Sequence, residues 1–253
     1  MSRKPQKKKK DIRSSMRIRE ERKNILTNKS DFFIREAYKT LRTNVSFSLT
    51  GFEDCKVILV TSSLQSEGKS ITAVNLAISY AQTGRKVLVI DCDLRRPKIQ
   101  RYLRIKASSQ SGVSTVLNGS CSIDNAIGYV EELGIYVMLS GPIPPNPSEL
   151  LSSERTKAIL EELKTKFDFV ICDTPPVGIV SDAVAFSQYM DGAVMVVRQN
   201  YASNNEIADA VSKLRAVETN LLGVVLNDYD SKYDTNYKYD KYYSYKYYYA
   251  DEK

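Results

Sequence analysis

The chain has 253 residues, of which 42% are hydrophobic and 26% charged, and its formal net charge is +7. This length and composition predict one globular domain with short terminal segments. No apolar run approaches the roughly eighteen residues of a membrane span, and the N-terminus lacks the apolar region of a secretory signal. We therefore expect a cytosolic protein. The absence of histidine excludes Ser-His and Cys-His nucleophiles and histidine-ligated zinc.

The four cysteines are scattered along the chain without a Cys-x-x-Cys pair. This pattern favours reduced, mostly buried thiols over a disulfide framework or a metal site.

The positive charge is concentrated at the N-terminus. Residues 1–23 hold eleven Lys or Arg and three acids, a net charge of +8, so the rest of the chain sums to −1. Such a segment is either a solvated leader or a contact for anionic lipid. Nucleic acid is the weaker alternative, because no aromatic residue is interleaved with the charges. We assign residues 1–29 to a flexible basic arm, 30–228 to a folded domain and 229–253 to a tail.

Strand and helix patterns alternate through the domain. Ser30 can cap a helix whose apolar positions Phe33, Ala37, Leu41 and Val45 recur at helical spacing. Strands are predicted at 56–61, 86–91, 135–140, 167–173, 192–197 and 222–227, with helices over 73–81 and 149–167 and short helices between 98 and 134. The fold class is therefore α/β, a three-layer α/β/α domain with a mainly parallel sheet.

A candidate phosphate loop follows the first strand. It consists of Ser63, Leu64, Gln65, Ser66, Glu67, Gly68, Lys69 and Ser70, with Ile71 in the helix that follows. Backbone amides at such a helix start bind phosphate, Lys69 would reach the β- and γ-phosphates, and Ser70 would hold Mg²⁺. Ser63 stands where the usual pattern has glycine. The alternative is a chance Gly-Lys-Ser at a helix start.

Three aspartates stand at the ends of predicted strands: Asp91, Asp93 and Asp173. Open parallel sheets place their ligand crevice at this edge. Carboxylates beside a phosphate loop can hold Mg²⁺ with its waters and manage a proton. Aspartates at strand ends also serve as helix caps, so the prediction depends on all three together.

The C-terminal tail is rich in tyrosine. Ten of the twenty-one residues from Tyr229 to Tyr249 are tyrosine, and no Val, Ile, Leu, Met or Phe follows Leu226. The ten are Tyr229, Tyr233, Tyr237, Tyr239, Tyr242, Tyr243, Tyr245, Tyr247, Tyr248 and Tyr249. A segment of this composition cannot build a core, and we expect it to stay flexible.

These motifs resemble those of the bacterial tyrosine kinases, a P-loop family. SEGKS resembles the Walker A element, VLVIDCDLR the Walker A′ element, FVICDTPP the Walker B element, and GPIPPNPSELL (141–151) a further family stretch. The resemblance implies ATP and Mg²⁺ as cofactors and the tail tyrosines as substrates.

The resemblance also implies roles for single residues. Asp91 would be the base, Asp93 and Asp173 would hold the Mg²⁺ shell, and Lys69 would stabilise the developing charge. Arg95 is a candidate for orienting phosphate, and Asn227 for meeting the adenine edge.

Oligomerisation and partners are implied by the same family. The segment EAYKTLR (36–42) resembles an ExxRxxR motif, with Glu36 and Arg42 in place and Lys39 at the middle position. Lysine cannot reproduce an arginine fork. The resemblance implies a homo-oligomeric ring that transfers phosphate in trans. It also implies a membrane-bound activator with a cytosolic segment, in capsule or exopolysaccharide systems, which recruits the kinase to the inner face of the membrane.

Two other functions stay open. A partitioning or positioning ATPase of the same P-loop branch would carry a lysine where this chain has Leu64. A catalytically inactive scaffold would bind nucleotide without transfer, and Ser63 and Ser66 in place of glycines keep this alternative open.

Overall fold

The computed structural model describes residues 20–51, 55–105 and 111–230. They form a seven-stranded sheet in the order β3-β4-β2-β5-β1-β6-β7, in which only β3 and β4 pair antiparallel. The strands are β1 (Lys56–Ser62), β2 (Val87–Asp91), β3 (Ile127–Val130), β4 (Ile135–Met138), β5 (Phe169–Asp173), β6 (Gly192–Arg198) and β7 (Leu221–Asn227). The helices are α1 (Phe32–Ser48), α2 (Lys69–Ala81), α3 (Ile99–Leu103), α4 (Val113–Leu117), α5 (Ile123–Ala126), α6 (Pro147–Leu151), α7 (Glu154–Lys164), α8 (Asp182–Ser187) and α9 (Asn204–Arg215), and Arg22–Asn24 forms a 3₁₀ turn. The predicted α/β class is confirmed.

The central strand β1 contributes side chains to cores on both faces of the sheet. Val57 and Leu59 belong to one apolar cluster, and Ile58 and Val60 to the other. Successive side chains of a strand point to opposite faces, so a continuous apolar run fills both cores.

The strands that carry the predicted site are neighbours. β1 and β2 both pair in parallel with β5, and Asp91 lies opposite Asp173 in the β2–β5 register. The carboxyl ends of these strands therefore meet at one edge of the sheet, where the loop from β1 to α2 also lies.

The first helix begins one residue later than predicted. The cap of α1 is Asp31, whose Oδ1 accepts a hydrogen bond from the Phe33 amide at 2.8 Å. Ser30 instead closes the preceding turn, where its hydroxyl accepts from the Thr27 amide at 2.9 Å.

The single helix predicted over 149–167 is two helices, α6 and α7. Ser153 is extended (φ −73°, ψ 152°), and its hydroxyl donates to the Leu150 carbonyl at 2.8 Å. The Thr156 hydroxyl donates to the same carbonyl at 3.0 Å. These side chains satisfy the end of α6 and so make the break favourable.

The sequence analysis missed strand β3. Its sequence IGYV contains a glycine and directly follows α5, so neither its length nor its composition stands out. The strand is formed by antiparallel pairing with β4 at the sheet edge.

Residues 20–29, which we assigned to the flexible arm, pack against the domain. Leu26 is fully buried, its amide donates to Asn75 Oδ1, and Asn75 Nδ2 donates to the Asn24 carbonyl, both at 2.8 Å. The folded part therefore begins before residue 30. Residues 1–19 and 231–253, with nine of the ten predicted phosphorylation sites, lie outside the described residues. Among the described helices, none has the length and apolar content of a membrane span.

Candidate active site

The loop between β1 and α2 has the shape of a phosphate cradle. Gly68 at the N-cap of α2 has φ 98° and Ser66 has φ 72°. These are the left-handed positions of the loop, so Ser63, which occupies the usual glycine place, needs no such freedom. The substitution of serine there is compatible with the fold of the loop.

The side chain of Glu67 holds the phosphate loop in place through hydrogen bonds. Its side chain is fully buried, and Oε2 accepts from the Ser63 hydroxyl at 2.8 Å and from the Leu64 amide at 2.6 Å. Oε1 accepts from the Arg198 amide at 3.2 Å and so ties the loop to the end of β6. This role was not predicted, because the contact with Arg198 joins residues that are distant in the sequence.

Gly178 is a second residue that the sequence analysis missed. A β-carbon added at Gly178 would lie 2.3 Å from the Ser63 carbonyl oxygen. Real side chains do not tolerate such a contact, so the segment after β5 can approach the loop only with glycine at this position. The signal in the sequence was the glycine two residues after the Thr-Pro-Pro of the Walker B element.

Lys69 lies among the predicted carboxylates. Its Nζ is 3.0 Å from Asp93 Oδ2, 3.1 Å from Asp173 Oδ1 and 3.3 Å from the Ser70 hydroxyl. Burial lowers the pKa of the Lys69 ammonium, but Asp173 and Asp93 together raise it above the usual lysine value. Lys69 is therefore a charged lysine held at the site by two acids.

Asp91 is fully buried beside Asp173. Its Oδ2 accepts from the amides of Lys98 and Ile99 at 3.2 and 3.1 Å, which fixes the start of α3. Burial, and then the charge of Asp173, raise the pKa of Asp91 to about 8. Burial likewise raises the pKa of Asp173, against the opposing effect of Lys69.

Two buried carboxylate oxygens, Asp91 Oδ1 and Asp173 Oδ2, have no hydrogen-bond partner within the described residues. A buried oxygen of this kind is costly unless a cation, a proton or water meets it. No group of three or more acids or thiols in the described ranges has the spacing of a complete metal site. Magnesium is commonly bound by one or two carboxylates together with phosphates and waters. The residues present fit that mode of binding.

Arg95, which ends the Walker A′ element, and Arg96, which follows it, have different partners. Arg95, our candidate for phosphate, forms a bidentate pair with the buried Asp182, with distances of 2.7 and 2.9 Å. Arg96 instead contacts the phosphate loop, where its NH1 donates to Gln65 Oε1 at 2.9 Å. A phosphate role for Arg95 stays a prediction, and Arg96 is the arginine adjacent to the loop.

Asn227 lies against the phosphate loop at the end of β7. Its Nδ2 donates to the Glu67 carbonyl at 2.8 Å, and a β-carbon on Gly68 would collide with this amide. The contact with adenine stays a prediction.

A broad cleft opens beside the loop. Its walls include Lys69 and Ser70 at the start of α2, Tyr38 of α1, Tyr102 of α3 and Tyr229 just beyond β7. The first tyrosine of the tail therefore borders the same cleft as the phosphate-loop lysine.

The predicted oligomerisation residues lie on α1. Glu36 and Lys39 form an exposed ion pair at 2.6 Å. Arg42 NH1 donates to the Ser79 carbonyl of α2 at 2.6 Å, within the same chain. The role of these residues between subunits stays a prediction.

Comparison with known proteins defines the class of this chain. The family model described as an AAA domain matches residues 55–230. The phosphate loop, the strand order and this match define a P-loop nucleotide-binding α/β domain.

Individual relatives define the family of this chain more narrowly than the domain match does. The tyrosine-protein kinase YwqD of Bacillus subtilis is 38% identical over 76% of this chain and 80% of its own length. The putative tyrosine-protein kinase CapB of Staphylococcus aureus is 33% identical over 81% of this chain and 88% of its own length. The solved kinase domain of the Escherichia coli tyrosine kinase ETK superposes with a TM-score of 0.75 at 32% identity, covering 81% of this chain and 80% of that one. The chain belongs to the bacterial tyrosine-kinase family.

Proposed function

We propose that this protein transfers the γ-phosphoryl group of ATP to tyrosines of its own C-terminal tail, in trans within an oligomer. The observation that carries transfer to the tail is the position of Tyr229, which borders the cleft that also contains Lys69 and Ser70. Transfer in trans within an oligomer is proposed from the family resemblance. The chain belongs to a family of tyrosine kinases, and Tyr229, the first of its ten tail tyrosines, lies just beyond β7 at this edge of the sheet.

The roles of the residues follow from charge and position. When bound, Mg·ATP supplies the phosphoryl group, and the metal neutralises phosphate charge. Ser70, Asp93 and Asp173 would hold the metal and its waters. The loop amides and Lys69, released from its two carboxylates towards phosphate, would stabilise the charge that develops on the transferred group.

Asp91 is proposed as the residue that orients the tyrosine hydroxyl and accepts its proton. At the reference pKa values of tyrosine and aspartate, complete transfer before attack would cost roughly 8 kcal/mol. A loose transition state does not require complete transfer, because the proton can leave as the new bond forms. Burial of Asp91 favours its protonated state and so acts in the direction of a better proton acceptor.

The biological setting is proposed from the relatives. Their capsule-related names, with the family resemblance, support a role in regulating capsule or exopolysaccharide synthesis and export. We propose that a membrane-bound activator with a cytosolic segment recruits the chain from the cytoplasm to the inner face of the membrane. The basic arm would add contact with anionic lipid.

The test distinguishes a kinase from an ATPase by the product that is formed from ATP. Purified protein is incubated with Mg·ATP and the cytosolic segment of the activator, and phosphotyrosine and free phosphate are both measured. Phosphotyrosine that forms in the parent chain and is lost in the Lys69→Met variant would identify a kinase. Free phosphate without phosphotyrosine would identify an ATPase, and nucleotide binding without either product would identify a scaffold.

A further inference from the structure

The phosphate loop has different neighbours on its two sides along the edge of the sheet. The strand order β2-β5-β1-β6-β7 puts the cleft on one side, where Arg198 and Asn227 end β6 and β7. On the other side, Asp173 ends β5 and Asp93 lies just beyond β2. Lys69 borders the cleft and pairs with both acids. The cleft is therefore on the nucleotide side of Lys69, and the two acids are on the opposite side.

In-line transfer assigns these two sides to the two substrates. The attacking and leaving oxygens lie roughly on opposite sides of the transferred phosphorus. The phenol oxygen of a tyrosine forms its bond to phosphorus as the bond to ADP breaks, and the phenol proton passes to Asp91, the proposed base. Because ADP leaves on the side of the cleft, the tyrosine must approach from the side of the acids. The loops that follow β2 (residues 92–98) and β5 (residues 174–181) form the rim on that side.

The loop after β5 is fixed at two points. Gly178 packs so closely against Ser63 that an added β-carbon would lie 2.3 Å from the Ser63 carbonyl oxygen. Four residues later, the fully buried Asp182 accepts two hydrogen bonds from Arg95, at 2.7 and 2.9 Å. Ile179 lies between these two anchors and is 49% exposed. The rim therefore presents an apolar side chain at a fixed place beside the phosphate loop.

Asp182 also holds the loop after β2, through Arg95. Its carboxylate accepts a further hydrogen bond from the Ser148 hydroxyl of α6. Burial raises the pKa of Asp182, but the bonds from Arg95 and Ser148 lower it below its ordinary value, so the carboxylate stays charged. Arg95 NH1 makes no hydrogen bond to any described residue, and the Arg95 side chain is 43% exposed. One donor of a firmly held guanidinium is therefore available to a ligand at this rim.

The tail offers acceptors that match these two side chains. Three of its ten tyrosines are followed directly by aspartate: Tyr229, Tyr233 and Tyr239. The charge of the rim suits such a sequence, because Arg96, next to Arg95, pairs with no acid in the described part of the chain. Tyr229 borders the nucleotide side of the same chain. A tyrosine that reaches this rim therefore comes from further along the tail or from a second copy of the chain.

We propose that Ile179 and Arg95 form the acceptor subsite, which binds a tyrosine that is followed by an acidic residue. Ile179 would contact the ring of the tyrosine. The Arg95 guanidinium would form a charge-assisted hydrogen bond with the carboxylate of the next residue. Asp182 is a positioning residue, because it fixes Arg95. This inference rests on the proposed function, since it needs tyrosine to be the acceptor.

The experiment measures phosphorylation of synthetic peptides by the full chain with Mg·ATP and the cytosolic segment of the activator. The protein carries Phe at its ten tail tyrosines, so that only the peptide is labelled. One peptide spans residues 235–244 with Tyr237, Tyr242 and Tyr243 changed to Phe, which leaves Tyr239 as its single acceptor. A second peptide adds Asp240→Asn.

Three protein variants are compared with this parent. Ile179→Ser removes the apolar contact. Arg95→Gln together with Asp182→Asn removes both charges and keeps two side chains that can bond to each other. Val217→Ser is the matched control, because Val217 is 41% exposed and lies between α9 and β7, at the opposite edge of the sheet.

We expect the parent to favour the Asp240 peptide over its Asn form by about fivefold in kcat/KM, and the paired variant to lose this preference. Ile179→Ser should lower kcat/KM for the peptide about fivefold and leave the KM for ATP unchanged. Val217→Ser should match the parent in both quantities.

Equal kcat/KM for the two peptides in the parent would overturn the proposal, and so would an unchanged value in Ile179→Ser. A preference that persists in the paired variant would overturn the role of Arg95. Phosphorylation of the native tail with neither peptide labelled would also contradict this subsite. A chain with its native tail that forms no phosphotyrosine at all would instead count against the proposed function.

Discussion

Lys69 and Asp173 form a buried ion pair, with Nζ 3.1 Å from Oδ1, at the point where the phosphate loop meets the end of β5. Asp93 adds a second carboxylate at 3.0 Å. Lys69, which the family resemblance assigns to the phosphates, is thus held by Asp93 and Asp173, which the same resemblance assigns to the metal. If Asp93 and Asp173 held Mg²⁺ and its waters, Lys69 would be free to turn from these acids towards the phosphates.

The first prediction concerns Lys69→Met. Transfer should fall by about 10²–10³, because a group that stabilises transition-state charge is lost. The two buried acids also lose their cation, so the nucleotide-free variant should be less stable than the parent. The loss should be larger at pH 8 than at pH 5, because burial raises the pKa of Asp173 and so favours its protonated form at low pH. Phosphotyrosine formation and thermal unfolding at both pH values check this. Transfer at the parent rate would show that the site is misassigned.

The second prediction concerns Asp91→Asn. The pKa of Asp91 lies above its unfolded value, so folding takes up a proton, and stability falls as the pH rises from the usual carboxyl range towards about 8. Asparagine cannot lose a proton. Without Mg²⁺ and nucleotide, the variant should therefore be more stable than the parent at pH 8, by about 1–3 kcal/mol, and should show a smaller pH dependence.

Asp91→Asn should also reduce phosphotransfer, with little effect on ATP affinity. Asp173→Asn should reduce phosphotransfer and in addition weaken its dependence on Mg²⁺. Denaturant unfolding from pH 5 to 8 measures the stability of Asp91→Asn, and nucleotide titrations measure the ATP affinity of both variants. An unchanged pH profile, or equal loss of nucleotide binding in the two variants, would contradict the roles given to these residues.

The third prediction concerns Gly178→Ala. The new methyl would lie 2.3 Å from the Ser63 carbonyl, so the phosphate loop must move. Overpacking of this kind costs about 1–3 kcal/mol, and ATP affinity should fall with it. Gly128→Ala is the matched control, since a β-carbon there meets nothing within 4 Å. Nucleotide titration calorimetry compares the two, and equal affinities would mean that the loop tolerates the shift.

The fourth prediction is that the tail is modified in trans and that its phosphates dissociate the oligomer. Several phosphates on neighbouring tails would repel one another and compete for the arginines at subunit contacts. Active protein with a Phe tail is mixed with Lys69→Met protein that has the native tail, and phosphotyrosine and mass are followed. Unlabelled Lys69→Met chains would exclude trans transfer, and label at constant mass would exclude dissociation.

Sequence patterns predicted those parts of the site that depend on local motifs. The Gly-Lys-Ser of the loop and the aspartates at strand ends are local, and a parallel sheet brings strand ends together without further information. The sequence could not predict that Glu67 is buried and accepts from the Arg198 amide, since this bond depends on how the loop meets the distant strand β6.

The ends of the domain were harder to predict for a similar reason. Residues 20–29 have a polar composition, and their place in the domain depends on long-range contacts. Leu26 is buried, Asn75 bonds to the backbone of Asn24 and Leu26, and Tyr102 bonds to Glu21 and Arg22. The break between α6 and α7 likewise depends on hydroxyl groups that bond to one carbonyl. Charge and periodicity do not encode such contacts.

Site-resolved mass spectrometry of the intact chain measures whether this P-loop site phosphorylates the tyrosine tail. The full chain and its Lys69→Met variant are each incubated with and without Mg·ATP, in the presence of the cytosolic segment of the activator. The account predicts phosphate on several tyrosines between Tyr229 and Tyr249, only in the parent chain and only with Mg·ATP. An unmodified tail in the parent chain, or equal modification in the variant, would contradict it.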